Sequence, residues 1–522
     1  MSSYGGLRLI GLDAGGTFIK ATVFDLGTGA TATRTKRTEV THPSPGWAER
    51  DPDGLWQAAT HVIQAALADL PPGGQIAALG VTAHGNGAYL VDQAGAAVRP
   101  AIQAADTRAA ALVAGWRADG VVDRLRPRCW NGLWPGQPGP VVAWLAAHEP
   151  AALSDSNRVL LCGDYLRARL TGQLAGEITA WSCSGLVDNV TGDYSAQALV
   201  ALGIDHLRHL LPELIDSLTV AGAVSADAAA VTGIPVGTPV IAGAVDNVAM
   251  QIGAGATDES NALVGAGTWS INQLLVPVSD MVMDGPLGEV APYAACLAVP
   301  ASRALLIEAS ATSASTLGWA LHRVLRGVAA DADRAGENVY SYALQVAGMR
   351  ELDAESPYFL PFLDGSRDWA SARGEWNGLS SSHDDYDLVL ATVEGVCFEH
   401  KRHIERLARA RTPIGTIRLA GGAGRSHVWS QMYADILGIP VEVSEVEEVG
   451  ALGAAVIAGS AVGLFASVDA GVEALNPTFV RFAPRPAQHD LARLRYQEYL
   501  RRVGAAESAT HAASPAVESV AS

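Results

Sequence analysis

The chain has 522 residues, a formal net charge of −18 at pH 7, 49% apolar residues and 17% charged ones. That length leaves room for two or more domains with ample core, and the acidic balance opposes nonspecific binding of nucleic acid, which needs basic surface. It contains no run of roughly 18 uncharged apolar residues and no basic segment leading into an apolar one near Met1, so neither a membrane helix nor secretion is expected.

Residues 10–25 read IGLDAGGTFIKATVFD. An apolar run ends on Asp13, a turn follows at Gly15-Gly16-Thr17, and a second β-rich run spans Ala21 to Phe24. The pattern is a β-hairpin with an acid and a hydroxyl at its bend. Glycines let backbone N–H groups approach a phosphate, and an Asp beside such a loop can hold Mg²⁺ directly or through water. The same string also fits an ordinary hairpin whose glycines serve only the turn.

Apolar periodicity predicts helices over 54–69, 105–118, 141–147, 387–410, 427–437 and 450–463. Strands are expected over 7–12, 77–82, 239–243, 261–265, 304–308 and 416–420, which makes the chain α/β on a large scale. The turn-rich stretch VTGIPVGTPVIAGAVD at 231–246 marks the end of a first domain, 1–248. A second domain, 249–485, follows, and then a C-terminal segment, 486–522: a helix and an Ala/Ser-rich tail over 504–522 that reads as disordered. Five cysteines, Cys129, Cys162, Cys183, Cys296 and Cys397, form no CxxC pair. That argues against a disulfide framework or a zinc site and suits a reducing cytosol.

The hairpin has an echo. Residues 261–275, NALVGAGTWSINQLL, again bring a strand to a G-x-G-T turn with a strand-like run after it. Just before it, IAGAVDNVAM at 241–250 puts Asp246 after a Gly-rich strand end. A carboxylate there can accept a hydroxyl proton in phosphoryl transfer or simply cap a helix. At 420–437, AGGAGRSHVWSQMYADIL, a Gly-rich turn opens an amphipathic helix. Its start suits a flat adenine and its ribose, or is a tight strand-to-helix turn. The small-residue run VGALGAAVIAG at 449–459 reads as a helix for close packing.

Nine segments in order resemble the FGGY family of carbohydrate kinases, within the actin/hexokinase/Hsp70-like ATPases. They are 10–25, GWAERDPDGLW (46–56), GVTAHGNGAYLVD (80–92), ADTR (105–108), GDYLRARLTG (163–172), GAVDN (243–247), GAGTW (265–269), FLPFLDGSR (359–367) and LAGGAGRSHVWSQMYADILGIPV (419–441). The resemblance covers about residues 8–485. It implies two RNase H-like α/β domains flanking a catalytic cleft, and a cytoplasmic enzyme that uses ATP and Mg²⁺.

Carried over by position, Asp13 resembles the metal-associated acid, and Gly15, Gly16 and Thr17 the first phosphate loop. Gly267 and Thr268 match the second phosphate loop. Gly421, Gly422, Ala423 and Ser426 match the nucleotide turn, with Trp429 nearby. Asp246 matches the base that takes the substrate hydroxyl's proton. Sugar recognition falls to the first domain, with His84, Asn86, Asp106 and Trp134 as polyol readers. The alternatives there are a left-handed turn for Asn86, a cap or local ion pair for Asp106, and a core position for Trp134. Glu49 is read as structural, pairing a nearby cation, and Lys20 as solvated and outside the site.

The hairpin departs from the family's usual D-x-G-T-x-S by one extra Gly. The sugar loop carries Gly85-Asn86 where glycerol kinases have Arg-Glu, and lacks the Met-His-Gly of D-xylulose kinases. Within the family the motif set is most similar to L-xylulose kinases, implying phosphate transfer to a terminal hydroxyl of L-xylulose or a related pentulose. The alternatives are a kinase of a C4–C5 sugar alcohol such as erythritol, or a non-catalytic actin-like ATP switch, which a base facing a sugar site opposes. Family members are often homodimers, and no stretch of the sequence specifies an interface.

Overall fold

The computed structural model describes residues 5–154, 157–281, 292–366, 368–409, 413–476 and 478–513. Two compact units emerge. The first takes the described residues of Met1–Thr257, Leu275–Leu306 and Glu448–Pro477; the second takes those of Asp258–Leu274, Ile307–Glu447 and Thr478–Ser522.

In the first unit β1 (Leu7–Ala14), β2 (Phe18–Asp25) and β3 (Thr31–Arg37) form an antiparallel meander. Helix α1 (Pro52–Ala68) starts on Asp51, whose carboxylate accepts the Asp53 and Gly54 N–H groups, with Pro52 at the first helical position. It leads to β4 (Gln75–Ala83), parallel to β1. Later come α2 (Cys162–Thr171), β5 (Val220–Ala223), β6 (Pro239–Val245) and α3 (Asp246–Gly253). The sheet order is β5-β6-β4-β1-β2-β3. Its central strands are covered on both faces, which is why their sequences are almost unbroken apolar runs. Ile10, Leu12, Leu79 and Val81 share one core with Leu55, Val62 and Ile63 of α1 and Leu166 of α2.

The second unit repeats the plan. Strands β7 (Asn261–Ala266) and β8 (Ser270–Pro277) are an antiparallel hairpin, as β1 and β2 are. Helices α4 (Val339–Ala347) and α5 (Asp385–Ala408) precede β9 (Thr416–Ala420), which pairs parallel with β7 as β4 does with β1. Helix α6 (His427–Leu437) and β10 (Val441–Ser444) follow. The chain then supplies α7 (Val449–Ala461) to the first unit. It ends the second unit with β11 (Phe479–Phe482) and α8 (Pro486–Ala513). The second sheet includes the order β8-β7-β9-β10-β11.

Helix α7 is where the small residues matter. It lies on the first sheet's other face, packed against β1, β4 and α3. A Cβ on Gly11 would lie 1.9 Å from the Ala451 carbonyl oxygen, and one on Gly80 2.0 Å from that of Ala454. Backbone meets backbone there, so the expected close-packing role of 449–459 is what the structure uses.

Residues 275–306 and 448–477 fall in the first compact unit. Two expectations need correction. The helix expected from 105 begins at Ala110; the Asp106 carboxylate takes the Arg108 N–H at 2.8 Å and holds 105–109 as a turn. The expected tail is helical as far as Ala513, since GAAESATHAA is rich in good helix formers; residues 514–522, like Arg367 of the FLPFLDGSR segment, lie outside the described residues.

Candidate active site

The hairpin turn of the first unit is open. Gly16 and Thr17 are exposed, and a Cβ on Gly16 would meet nothing within 4 Å. Neither Gly15 nor Gly16 has positive φ, so the turn does not need glycine for conformation; what Gly16 leaves is bare backbone facing free space. The turn is held by the Gly15 N–H to Phe18 carbonyl bond at 2.9 Å, and Arg50 Nη2 donates to the Gly16 carbonyl at 2.5 Å. Arg50 is 1% exposed. Sequence reasoning read its segment as structural and missed this role.

Asp13, the penultimate residue of β1, stands in register with Lys20 of β2 and Thr82 of β4. Lys20 is not a solvated lysine: Nζ is 2.5 Å from Oε2 of Glu448, at the start of α7. The first turn of α7 closes on Asp13, where a Cβ on Gly450 would lie 2.5 Å from Oδ2. Burial is the main force that pushes the Asp13 carboxyl up to about 6, with Glu448 adding to it and Lys20 and His84 opposing it.

Asp246 is the first residue of α3, and Val245 is its N-cap. Its carboxylate takes only the N–H of Asn247, at 2.7 Å, among the bonds of the described residues, so it does not serve as the helix cap. Burial, and after it the charge of Asp13, pushes the Asp246 carboxyl up to about 6, while His84 pulls it back. His84 follows β4, donates its backbone N–H to the Ala14 carbonyl at 2.9 Å, and holds Nε2 at 3.3 Å from Arg50 Nη1. Burial and Arg50 lower its pKa, so the ring is neutral at pH 7. Two acids, a neutral imidazole and a buried guanidinium thus share the end of β1, β4 and β6.

The sugar loop joins this group. Asn86 adopts φ 64°, the left-handed region, and is buried, with its Oδ1 lacking a hydrogen-bond partner among the described residues. A buried unpaired acceptor at the edge of the acid group is placed to take a hydroxyl donor. The Gly87 N–H donates to the Gly136 carbonyl at 2.8 Å, tying this loop to the NGLWPG loop of the half-buried Trp134.

Asp106 is different. Its two oxygens accept from Ala48 N, Arg108 N, Arg108 Nε and Arg108 Nη2 at 2.7–2.9 Å. That fills a carboxylate's capacity, so Asp106 is the local ion pair and not a sugar reader. Glu49 pairs Arg99 at 2.6 Å and Arg108 at 2.7 Å, the expected structural role.

In the second unit, a cavity of about 1030 Å³ brings together Gly267, Thr268, Gly422, Ser426 and Trp429, with Asn338 and Tyr340 from the start of α4. Gly421 has φ +89°, and a Cβ on it would lie 2.6 Å from the Ala266 carbonyl oxygen. The turn after β9 is therefore seated on the β7–β8 turn, and only glycine permits that approach. Cβ atoms on Gly267 and Gly422 would meet open space. Ser426 caps α6, its Oγ accepting the Trp429 N–H at 3.3 Å. Ala423 is fully buried and packs inward, so it supports the turn without reaching the cavity. Tyr340, half exposed on α4, was not legible as a lining residue, because α4 carries no family motif.

The acid pair gives a stability test. A carboxyl raised on folding contributes stability below its unfolded pKa and loses it as pH rises through the folded value. For Asp13 the window runs from 3.8 to about 6. Asp13→Asn in metal- and nucleotide-free buffer is therefore expected to melt higher than the wild type at pH 8, by on the order of 1–2 kcal/mol, with the gain vanishing below about pH 4. Thermal melts across that range check it; a variant less stable at pH 8 contradicts the electrostatic account.

Residues 8–253 match the N-terminal domain of the FGGY family of carbohydrate kinases, and residues 262–462 its C-terminal domain. The L-xylulose/3-keto-L-gulonate kinase of Escherichia coli (strain K12) is 32% identical over 95% of this chain and 96% of its own. The erythritol kinase of Brucella abortus (strain 2308) is 29% identical over 88% of each. The xylulose kinase structure from Rhodospirillum rubrum superposes with a TM-score of 0.84 at 26% identity, over 97% of this chain and 100% of its own. Among the described residues no helix is long and apolar enough to cross a membrane. The chain belongs to the FGGY family of carbohydrate kinases, ATP-dependent phosphotransferases that act on a sugar hydroxyl.

Proposed function

We propose that this enzyme transfers the γ-phosphate of MgATP to a terminal hydroxyl of L-xylulose or a closely related pentulose, in the cytoplasm. The observation that carries the reading is Asp246: a carboxylate at the end of β6 that pairs with no Lys or Arg among the described residues, pushed up to about 6 by burial and by Asp13. Its ionised form at pH 7 is a base of raised strength, suited to accept the proton of an attacking hydroxyl. Asn86 and Trp134 offer the sugar an unpaired acceptor and an apolar face, and His84 a neutral ring. The bare turns at Gly15–Thr17 and Gly267–Thr268 suit phosphates, and the cavity beside Ser426 suits the nucleoside.

Among the described residues no group of three His, Cys, Asp or Glu side chains could hold a metal ion. A single carboxylate, Asp13, fits a magnesium that keeps its waters and its nucleotide oxygens. Bound there, the ion would neutralise charge developing on the phosphates. The five free, buried cysteines accord with a reducing compartment. The relatives' names favour a pentulose kinase over a nucleotide switch.

The test is an ATP-consumption assay with a panel of pentuloses, 3-keto sugar acids and tetritols. L-Xylulose or a close pentulose should give the highest kcat/KM, by at least about tenfold over erythritol, the discrimination that one or two pocket contacts supply. A preference for tetritols reassigns the substrate, and silence toward every sugar and polyol overturns the reading.

A further inference from the structure

Strand β6 bulges at Ala242 and Gly243, and its ladder resumes at Ala244 and Val245, just before Asp246. Its parallel register with β4 shifts between Ile241 and Ala244. Gly243 there has φ +75°, and a Cβ on it would lie 1.8 Å from the Val81 carbonyl oxygen. Backbone groups displaced by such a bulge need other partners. Here the Ala242 N–H donates to the Thr219 carbonyl at 2.9 Å, and the Gly243 N–H to the Ser217 carbonyl at 3.1 Å. The Val245 N–H donates to Oγ1 of Thr179 at 2.9 Å, and the Ala242 carbonyl accepts from Arg167 Nη1 at 2.7 Å.

Two of these partners converge on one carboxylate. Glu177 is 1% exposed. Its Oε1 accepts from Thr179 N at 2.8 Å and Ser217 Oγ at 2.7 Å; its Oε2 accepts from Thr179 Oγ1 at 2.7 Å and Ala180 N at 2.9 Å. Four neutral donors fill the acceptor positions of a carboxylate. Because the Thr179 hydroxyl proton is committed to Glu177, only the hydroxyl's lone pairs remain to face the Val245 N–H. An amide at 177 would turn an NH₂ toward two donors and break that order. The family motifs assigned no task to this cluster, yet it borders the residue from which Asp246 projects.

We infer that Glu177 is a positioning residue for phosphoryl transfer: through Thr179 and Ser217 it fixes the bulged backbone that aims Asp246. The inference rests on Asp246 acting as the base. Small displacements of a reacting group are costly, so Thr179→Val, which keeps the shape and deletes the hydroxyl, is expected to lower kcat by about 10–100-fold with both KM values within about twofold. Thr179→Ser, which restores the hydroxyl, should recover kcat to within about threefold. In an Asp246→Asn background Thr179→Val should add no further loss, because the two act as a unit.

Ser217→Ala is read the same way should Thr179→Val fail to fold by its melting curve. A folded Thr179→Val or Ser217→Ala enzyme with wild-type kcat overturns the inference, as does a loss that appears only in KM. The two readings fail separately. Full turnover by Asp246→Asn removes the base itself, whereas an inactive Asp246→Asn beside a fully active Thr179→Val removes only the brace.

Discussion

Asp246→Asn is expected to lower kcat for sugar phosphorylation by about 10²–10⁴-fold, the usual contribution of a positioned general base. The substitution keeps the volume and the hydrogen bond from Asn247 and removes only the proton acceptor, so KM for ATP should hold. The wild-type enzyme is expected to carry a matching pH signature. As the proposed base Asp246 must be ionised to act, and burial with Asp13 beside it pushes its carboxyl up to about 6. The kcat/KM of the free enzyme should therefore fall as pH drops through about 6 and level off above it. In Asp246→Asn that acidic limb should disappear from whatever activity remains. A variant that keeps wild-type turnover, or keeps the limb, shows that another group takes the proton.

Gly453→Val is expected to cost about 3–5 kcal/mol, at the upper end of single-substitution effects. A Cβ at 453 would lie 1.9 Å from the Ala249 carbonyl oxygen of α3, and nothing flexible stands in the way to yield. Its neighbours Ala451 and Ala454 meet Gly11 of β1 and Gly80 of β4 backbone to backbone. The helix cannot translate to relieve one contact without opening the others, so overpacking here is not absorbed by a rotamer change. Loss of soluble protein, or a melt lower by many degrees, is the expected result. A melt within about 2 °C of the wild type would show that α7 tolerates displacement. Activity should fall with stability, because α7 abuts Asp13 through Gly450 and α3 begins with Asp246.

The two hairpins were legible early because their signal is local. Each is a strand, a glycine turn and a returning strand within about fifteen residues, and local chemistry suffices to specify it. Nor did Asp246, Gly421 and Ser426 need partners to be noticed, since strand-end acids and strand-to-helix turns announce themselves in a short window. Asp106 shows the limit of the same approach. An acid beside an Arg in a family motif looks like a reader of hydroxyls, yet its capacity is consumed by Arg108 and by Ala48, the latter 58 residues away in the chain. Counting lone pairs requires knowing who arrives, and the sequence does not show arrivals. Arg50 was undervalued for the same reason: its partner, the Gly16 carbonyl, is 34 residues off.

By itself the sequence determined the α/β alternation, the family, the two glycine turns and the acid at the end of β6. All of these are written in runs of neighbouring residues whose backbone preferences agree with the final fold. Tertiary structure alone decided how those pieces are tuned. It carried α7 back across the chain so that Glu448 meets Lys20, 428 residues away. It half-buried Asp13 and Asp246 beside one another and drove both carboxyls toward 6. It also gathered Glu177, Thr179 and Ser217 around a bulge that no periodicity foretells. Propensity acts between neighbours, whereas desolvation, charge proximity and hydrogen-bond saturation depend on which distant residues are brought together, and only packing settles that.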